Sequence, residues 1–488
     1  MTLYRLAIGI ALTGTLAAAI AGLQGCTVNP ATGGQSFTGF MSPQDELRVG
    51  REQHPEVLQQ FGGVYNDPAL AAYVQQIGTA LARHSEMPDL VFTFTVLNSP
   101  VVNAFALPGG YVYVTRGLMA LASDEAELAG VLAHEIGHVT ARHTAQRYSQ
   151  SVLAAIGTTV LGAVIGDFAE LAQLGATAYL QSYSRDQEFQ ADELGVRYLT
   201  RAGYQPRAMA SFLTKLQEDS RIAAEAAGRA SEADKFDLFA THPRTLDRVE
   251  RALSETPERP LANARRGRDE YLARIDGMLY GDDPEHGFVR GRAFVHPALR
   301  FRFEVPPGFR LVNGERHVTA VGPSGAQIKF HQVKRDDASA MDHLIGTLAR
   351  GLRLDHVEGF EVNGMEGATG VTQMRAKDGP QDVRLVAMRV DPTTFHRFLF
   401  YTPPSLTRSL TPDLQATIYS LQRLTEAEAA RVRAQRIWIR TVQPGDTAEQ
   451  FSAGMADDPF RLRRFANLND LPPRALPRPG EKVKVVTE

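Results

Sequence analysis

The sequence has one cysteine and one tryptophan in 488 residues, and neither sign of charge dominates. The single cysteine, Cys26, excludes an intramolecular disulfide. The net charge of −3 gives no indication of a nucleic-acid-binding protein. Beyond the N-terminus, the apolar run at residues 151–165 is shorter than the roughly twenty residues that span a membrane. It predicts a buried or surface-docked helix, with membrane contact as the alternative.

The first 25 residues have the pattern of an export signal. Arg5 supplies a positive start, and the apolar, alanine-rich run Leu6–Leu23 follows it. Leu23-Gln24-Gly25-Cys26 then resembles a bacterial lipobox, which explains an unpaired cysteine in an exported protein. We expect residues 1–25 to be a lipoprotein signal peptide and Cys26 to be lipidated. By analogy with bacterial lipoproteins, the mature chain belongs to the outer membrane and faces the periplasm. The alternatives are a cleaved secretory signal, which gives a soluble periplasmic protein, and an uncleaved anchor.

The sequence His134-Glu135-Ile136-Gly137-His138 is an H-E-x-x-H zinc motif. Residues four apart on an α-helix share a face, so His134 and His138 can direct both imidazoles at one ion. Glu135 points to the side of that pair, where it can take a proton from a metal-bound water. Ser123 as N-cap and the acids that follow it predict the start of this helix. The motif predicts one Zn²⁺ per chain. The alternative is that the motif arose by chance.

Two carboxylates downstream have the spacing of a third ligand and its partner. Glu188 and Asp192 are four apart on a predicted helix, and Glu188 can complete a His-His-Glu site. Asp192, one turn along, could hydrogen-bond a ligand imidazole or handle a proton late in the reaction. The alternative is a solvated acidic helix face.

These motifs together resemble the gluzincin metallopeptidases related to the CAAX prenyl proteases and HtpX, within the periplasmic BepA/YfgC-like branch. The resemblance covers about residues 29–255. It implies zinc on His134, His138 and Glu188, with Glu135 as the catalytic acid/base and Asp192 as a proton donor or hydrogen-bonding partner. The matching pieces, in the family's order, are Asn103–Gly110, the HEIGH helix with Arg142-His143, Ser184–Asp192 and Thr241-His242-Pro243.

The resemblance also implies a role for His242. In this branch the histidine of Thr-His-Pro can approach the zinc from a loop, as a removable fourth ligand or a transition-state stabiliser. The alternative is that Thr241 and Pro243 mark an ordinary helix start. His143, five residues after His138, is turned off the ligand face, and we expect it to be structural.

Residues 91–115 predict a β-hairpin whose strands are 91–96 and 111–114, with a turn at 108–110. A strand beside a zinc site can bind an extended peptide as a further strand. The candidates for this substrate strand are Asn103, Ala104 and Phe105. The alternative is a hairpin with no role in binding.

The fold class expected is α+β and multidomain. After the signal peptide we expect a mainly helical zincin-type protease core with a small β-hairpin or sheet (26–284, with a polar connector at 256–284). An α/β accessory domain (285–425) follows. Residues 436–488 resemble a LysM module with βααβ order, which implies binding to N-acetylglucosamine-containing glycans such as peptidoglycan. The alternative for this last region is a small cap without a ligand.

The sequence therefore predicts a zinc-dependent endopeptidase of the bacterial cell envelope that cleaves misfolded or misassembled outer-membrane proteins. The predicted partners are such proteins, the outer-membrane assembly machinery, peptidoglycan through the C-terminal module, and the membrane through a lipid anchor. One alternative is a chaperone-like assembly factor with latent peptidase activity. Another is a peptidoglycan-binding hydrolase.

Overall fold

The computed structural model describes most of the chain after residue 25. The predicted signal peptide, residues 162–165 of the apolar run, Thr241 and Pro243 lie outside the described residues. Among the helices that are described, none is both long and apolar enough to cross a membrane. The described residues are 26–161, 182–226, 228, 230, 231, 242, 248, 251, 254, 263–314, 317–376, 379–456, 458–472, 475 and 478–488.

The chain divides into two compact units. The first comprises residues 1–278 together with 437–487, and the second comprises 279–436 with Glu488. Both units contain helices and strands, so the expectation of an α+β, multidomain protein is confirmed. The C-terminal region therefore groups with the first unit.

The first unit is mainly helical up to residue 278. Two short strands form an N-terminal hairpin, and three more form a small sheet. The helices are α1 (Pro43–Gln60), α2 (Pro68–Ala82), α3 (Arg116–Leu121), α4 (Glu125–Thr140), α5 (His143–Leu161), α6 (Arg185–Arg201), α7 (Arg207–Ala226) and α8 (Arg268–Ile275). The strands are β1 (Cys26–Val28), β2 (Gln35–Phe37), β3 (Thr93–Leu97), β4 (Ala104–Leu107) and β5 (Tyr111–Thr115).

The small sheet differs from the predicted hairpin. Its strand order is β3-β5-β4, with β5 parallel to β3 and antiparallel to β4. The two strands predicted from the sequence are therefore parallel neighbours, and the hairpin is formed by β4 and β5 around the turn at Pro108–Gly110. The pattern missed β4 because all four of its residues are buried. A strand buried on both faces lacks the alternation that marks a half-buried strand.

Helix α4 carries the HEIGH sequence and is the most enclosed helix of the unit. Its N-cap is Asp124, whose side chain accepts a hydrogen bond from the Glu127 N–H, so the prediction of Ser123 as the cap is wrong by one residue. Carboxylates near a helix N-terminus are stabilised by its dipole. The carboxylate of Asp124 also pairs with Arg266 at 2.6 Å, and the carboxylate of Glu125 pairs with Arg265 at 2.8 Å.

Helix α6 lies directly against α4. A Cβ placed on Gly137 would lie 3.1 Å from the Ala191 carbonyl oxygen and 3.2 Å from Leu194 Cβ. The close approach of α6 thus explains the glycine inside the motif. This packing brings Glu188 and Asp192 to the motif histidines.

The expected polar connector at 256–284 contains a packed helix. Helix α8 buries Tyr271, Leu272 and Ile275, and it packs against α4. Its apolar positions three and four apart form one face, which the charged composition of the segment obscures in the sequence.

The second unit is built on a seven-stranded antiparallel sheet of order β10-β11-β12-β16-β15-β14-β13. A smaller sheet of order β17-β9-β8-β7 shares an aromatic core with it, centred on Phe303, Phe330 and Phe398. The strands are β6 (Leu279–Tyr280), β7 (Phe288–Arg290), β8 (Ala293–His296), β9 (Phe301–Glu304), β10 (Arg310–Asn313), β11 (Val318–Val321), β12 (Gln327–Lys334), β13 (Asp355–Val362), β14 (Met365–Ala376), β15 (Gly379–Asp391), β16 (Thr394–Thr402) and β17 (Gln422–Arg423).

The helices of this unit are α9 (Ala340–Asp342), which runs into a π-helix (His343–Leu348), α10 (Pro404–Tyr419) and α11 (Glu426–Arg431). Thr411-Pro412-Asp413 has the pattern of a helix start, but the long helix begins at Pro404 and Pro412 lies inside it. Two prolines in one helix give two plausible starts.

Residues 437–487 complete the first unit. The region has the order β18 (Gln435–Thr441), α12 (Ala448–Phe451), α13 (Arg461–Leu468) and β19 (Lys482–Thr487), with β18 beside β19. Lys484 is fully buried, and its Nζ donates to the carbonyls at the end of α3, at 2.7 Å for Ala120 and 2.8 Å for Ala122. Arg463 pairs with Glu218 of α7 at 2.8 Å. This strand–helix–helix–strand order agrees with the expected one, and the LysM identity stays a prediction.

Candidate metal centre

Four buried side chains of the first unit converge on one point. One donor atom each from His134, His138, Glu188 and His242 lies within 4.8 Å of the others. His134 Nε2 and His138 Nε2 are 3.0 Å apart, and Glu188 Oε1 lies 3.5 Å from His138 Nε2. Two imidazoles and a carboxylate at such spacing form the ligand set of a catalytic zinc site. The residues present fit a metal ion.

The helices set this geometry. His134 and His138 lie one turn apart on α4, and Glu188 lies in the first turn of α6, after its N-cap Ser184. The Ser184 hydroxyl accepts from the Gln187 N–H, and Gln187 caps the Ser184 N–H in return, which fixes where α6 begins.

Glu135 faces the same point without belonging to the ligand cluster. Its side chain is 1% exposed, and neither carboxylate oxygen has a hydrogen-bond partner among the described residues. Burial raises the pKa of Glu135 above its ordinary value. Burying a carboxylate without a hydrogen bond costs free energy. The carboxylate of Glu135 lies beside the candidate metal ligands, where it can accept a proton during catalysis.

Asp192 holds His134 from behind. Asp192 Oδ1 lies 2.9 Å from His134 Nδ1, the ring nitrogen that faces away from the other ligands. A carboxylate at the second nitrogen of a metal-binding histidine fixes the tautomer that leaves the first nitrogen free to bind.

Arg248 was not identified from the sequence. It donates to both oxygens of Asp192, at 2.6 Å from Nε and 2.7 Å from Nη2, and its Nη1 lies 2.6 Å from Glu188 Oε2. One buried guanidinium therefore spans the two carboxylates of α6. Arg248 is separated from Asp192 by 56 residues, so no local spacing signalled it.

His143 lies beside His138. Its Nδ1 lies 2.8 Å from His138 Nδ1, and its Nε2 lies 2.8 Å from Gln190 Oε1. His143 is not a ligand, but it contacts the second ring nitrogen of one, as Asp192 does for His134. The turn after α4, where Arg142 adopts φ 56°, brings His143 back towards His138.

The protonation states of two of the candidate ligands, His138 and Glu188, suit a metal. Burial holds the pKa of His138 well below its ordinary value. Burial acts to raise the pKa of Glu188, but the charges of Arg248 and His242 and the hydrogen bonds to His138 and His242 together outweigh it and hold that pKa well below the usual range. A neutral imidazole and an ionised carboxylate are the forms that bind metals.

His242 occupies the side of the cluster that three ligands would leave open. Its Nδ1 lies 3.0 Å from Glu188 Oε1 and 3.3 Å from His134 Nε2, and its Nε2 lies 3.6 Å from Glu135 Oε1. With His134, His138 and Glu188 as ligands, His242 would supply a fourth, in place of the water that a catalytic zinc keeps. The alternative reading of His242 as part of a helix start rests on Thr241 and Pro243, which are not described.

Tyr183 covers the cluster and was not singled out by the sequence. Its ring stacks on His138 with centroids 3.7 Å apart, and the Arg147 guanidinium lies 3.6 Å from the other side of the Tyr183 ring. The tyrosine limits how His138 can turn.

The candidate substrate strand is an edge strand. In the order β3-β5-β4, strand β4 has a neighbour on one side only, and it packs beside α4. Ala104 and Phe105 lie in it, and Asn103 immediately precedes it. Phe105 stacks on Tyr113 in the core, so its side chain supports the strand. Asn103 Oδ1 is buried and has no hydrogen-bond partner in the described part of the chain.

The sequence was compared with protein families and with curated proteins. Residues 68–256 match the family described as peptidase family M48, a segment that contains all the residues of the cluster. The chain is 29% identical over 254 residues to the beta-barrel assembly-enhancing protease of Escherichia coli strain K12, covering 49% of this chain and 50% of that protein. It is 31% identical over 268 residues to the protein of that name from Yersinia pestis, covering 51% and 52%.

The chain is also similar to a mitochondrial protein. The mitochondrial metalloendopeptidase OMA1 of Schizosaccharomyces pombe is 30% identical over 223 residues, covering 44% of this chain and 61% of that protein. The chain spans about half the length of the beta-barrel assembly-enhancing proteases that it matches.

Proposed function

We propose that this chain, whose residues 68–256 form a metallopeptidase domain of family M48, is a zinc-dependent endopeptidase of the bacterial cell envelope. Its substrates are misfolded or misassembled outer-membrane proteins. The observation that carries the proposal is the convergence of His134, His138 and Glu188 beside the unpartnered carboxylate of Glu135. That arrangement places three metal ligands beside a group that can accept a proton.

The chemistry assigns a task to each residue. Zinc, held by His134, His138 and Glu188, would polarise a peptide carbonyl and lower the pKa of a water. Glu135 takes the proton from that water and returns it to the leaving amine. Asp192 keeps the His134 ring in its binding tautomer. The edge of β4 holds an extended peptide by main-chain hydrogen bonds, which depend little on sequence. Such binding suits unfolded substrates.

The envelope location rests on the sequence. The signal-like segment 1–25 and the lipobox-like Leu23–Cys26 support an outer-membrane lipoprotein that faces the periplasm, with a soluble periplasmic form as the alternative. The names of the relatives in Escherichia coli and Yersinia pestis point to β-barrel assembly as the setting. We also propose two partners. The outer-membrane assembly machinery is proposed from the names of these relatives, and peptidoglycan is proposed from the LysM-like sequence of residues 436–488.

The test is Glu135→Gln in the full chain. We expect one zinc per chain in wild type and variant, because Glu135 is not a ligand, and casein digestion lower by about 10²–10⁴-fold in the variant. Glu193→Gln, at a half-exposed position of α6, is the matched control and should digest casein normally. Digestion that is unchanged in Glu135→Gln would contradict the proposed role.

Metal and substrate are tested on the wild-type chain. A chelator should abolish digestion, and stoichiometric zinc should restore it. An outer-membrane β-barrel protein should be cleaved when unfolded and spared when folded. Equal cleavage of both forms would remove the assignment to misassembled proteins, and activity without metal would remove the zinc mechanism.

One observation favours a second function, an assembly factor with latent peptidase activity. His242, whose Nδ1 lies 3.0 Å from Glu188 Oε1, would supply a fourth ligand in place of the water that a catalytic zinc keeps. A chain held in this state binds unfolded proteins without cutting them. Rescue of an envelope-assembly defect by Glu135→Gln would favour this function over proteolysis.

A further inference from the structure

A second surface of the first unit carries exposed apolar side chains next to the predicted lipidation site. Val28, Phe40 and Leu153 expose 58%, 42% and 52% of their surfaces. Together with the half-buried Phe37 they are called here the apolar face. A contiguous exposed apolar surface marks a site of interaction.

Contacts between neighbouring elements make this face continuous. Cys26 is the register partner of Phe37 in the β1–β2 hairpin, and the rings of Phe37 and Phe40 are 5.8 Å apart. The Phe40 N–H donates to Ser149 Oγ of α5, one turn before Leu153. The face thus runs from the first strand onto the surface of α5.

The segments that form the face contain no side chain that is charged at neutral pH. Residues 26–44 and 148–161 lack Asp, Glu, Lys, Arg and His, although 22% of the chain is charged. An ordinary water-facing surface of this protein would carry charges at that density. Their absence here suits a surface that lies against the interfacial layer of a lipid bilayer.

The face is joined rigidly to the metal centre. Arg142, four residues after His138, donates to Thr27 Oγ1 at 3.2 Å and to the Met41 carbonyl at 2.9 Å. Asn29 donates to the Ala141 carbonyl at 3.0 Å. Residue 26 is therefore followed at once by folded structure that is hydrogen-bonded to the end of the metal-binding helix.

We propose that the apolar face docks on the phospholipid bilayer and holds the metal centre at a fixed position close to the membrane surface. The inference rests on the proposed lipid attachment at Cys26, because an acyl group there brings the bilayer to β1. Val28, Phe40 and Leu153 then enter the interfacial layer, as apolar side chains of membrane-surface proteins do. The substrates selected are protein segments that lie at the membrane surface.

The experiment uses the acylated full chain, in which an introduced cysteine is the only free thiol. Phe40→Cys, Leu153→Cys and the control Val91→Cys are labelled with nitrobenzoxadiazole and reconstituted into phosphatidylethanolamine–phosphatidylglycerol vesicles. Val91 is 81% exposed and lies in the same unit, outside the segments that form the face. We expect doxyl-lipid quenching at positions 40 and 153 to exceed that at 91 by about twofold or more, with iodide quenching in the reverse order.

The mass of the purified chain distinguishes a failure of the docking proposal from a failure of the proposed lipid attachment. If the acyl group is present and iodide quenches all three positions equally, the docking proposal is overturned and the lipid anchor stands. If the mass shows no acyl group, the proposed anchor is wrong and the docking that rests on it is overturned too. Neither result depends on a measurement of peptidase activity.

Discussion

The guanidinium of Arg248 holds the carboxylate of Asp192 through two hydrogen bonds, at 2.6 and 2.7 Å, while its third nitrogen lies 2.6 Å from Glu188. Arg248→Met would leave two buried carboxylates without their cation. Breaking a buried ion pair costs about 3–5 kcal/mol. Loss of a group that orients a ligand weakens metal affinity by about 10–100-fold. We expect both losses, measured by chemical denaturation and by zinc competition with a chelator.

The control for Arg248 is an exposed arginine. Arg221→Met removes a surface pair with Glu218 whose atoms are 3.9 Å apart, and its effect on the free energy of unfolding should be about 0–1 kcal/mol. A normal zinc affinity in Arg248→Met would show that Glu188 and Asp192 position themselves without it.

His242→Ala tests whether the site is closed at rest. Because His242 belongs to the same cluster and would take the place of a metal-bound water as a fourth ligand, we expect casein digestion to rise by several-fold, about 10-fold at most, with zinc retained. His84→Ala, at an exposed histidine, should leave digestion unchanged. A fall in digestion with zinc retained would instead assign His242 to transition-state stabilisation.

Two glycines of α4 provide a matched pair. Gly130→Ala should stabilise the protein by up to about 1 kcal/mol, because the new methyl meets its nearest atom at an ordinary 3.5 Å. Gly137→Ala places its methyl 3.1 Å from the Ala191 carbonyl oxygen and pushes on the helix that carries Glu188. We expect lower stability in urea and weaker zinc binding. If both changes stabilise the protein equally, α6 can shift to accommodate the methyl of Gly137→Ala at no cost, which would contradict the prediction.

Lys484 predicts a dependence of stability on pH. Burial, with the charge of Lys215, holds the pKa of Lys484 well below its ordinary 10.5. Between the folded and unfolded pKa values the unfolded chain binds more protons, so stability rises with pH in that window. We expect the free energy of unfolding of wild type to increase as pH rises towards 10.5. In Lys484→Met this increase should be smaller, and an identical pH profile would contradict the inference.

Local spacing was enough to predict much of the centre. His134 with His138, and Glu188 with Asp192, are i and i+4 pairs on helices that the sequence also predicted. His242 entered only through the family resemblance, because a single histidine in a loop has no spacing to interpret.

The remaining features depend on contacts between distant segments. Arg248 reaches Asp192 across 56 residues, and Lys484 reaches Ala120 across 364. Strand β4 is short and wholly buried, so it shows no alternation. Helix α10 has two prolines, and only the tertiary structure decides which of them starts it.

The contact between Lys484 and the end of α3 bears on the order in which the protein matures. The carbonyls of residues 120–122 lie just before the helix that carries His134 and His138, and they obtain their donor from Lys484, 362 to 364 positions further along the chain. The segment that precedes this helix therefore lacks its donor until residue 484 has been synthesised and has folded against it. A nascent chain that ends before residue 484 lacks this support beside the candidate metal centre.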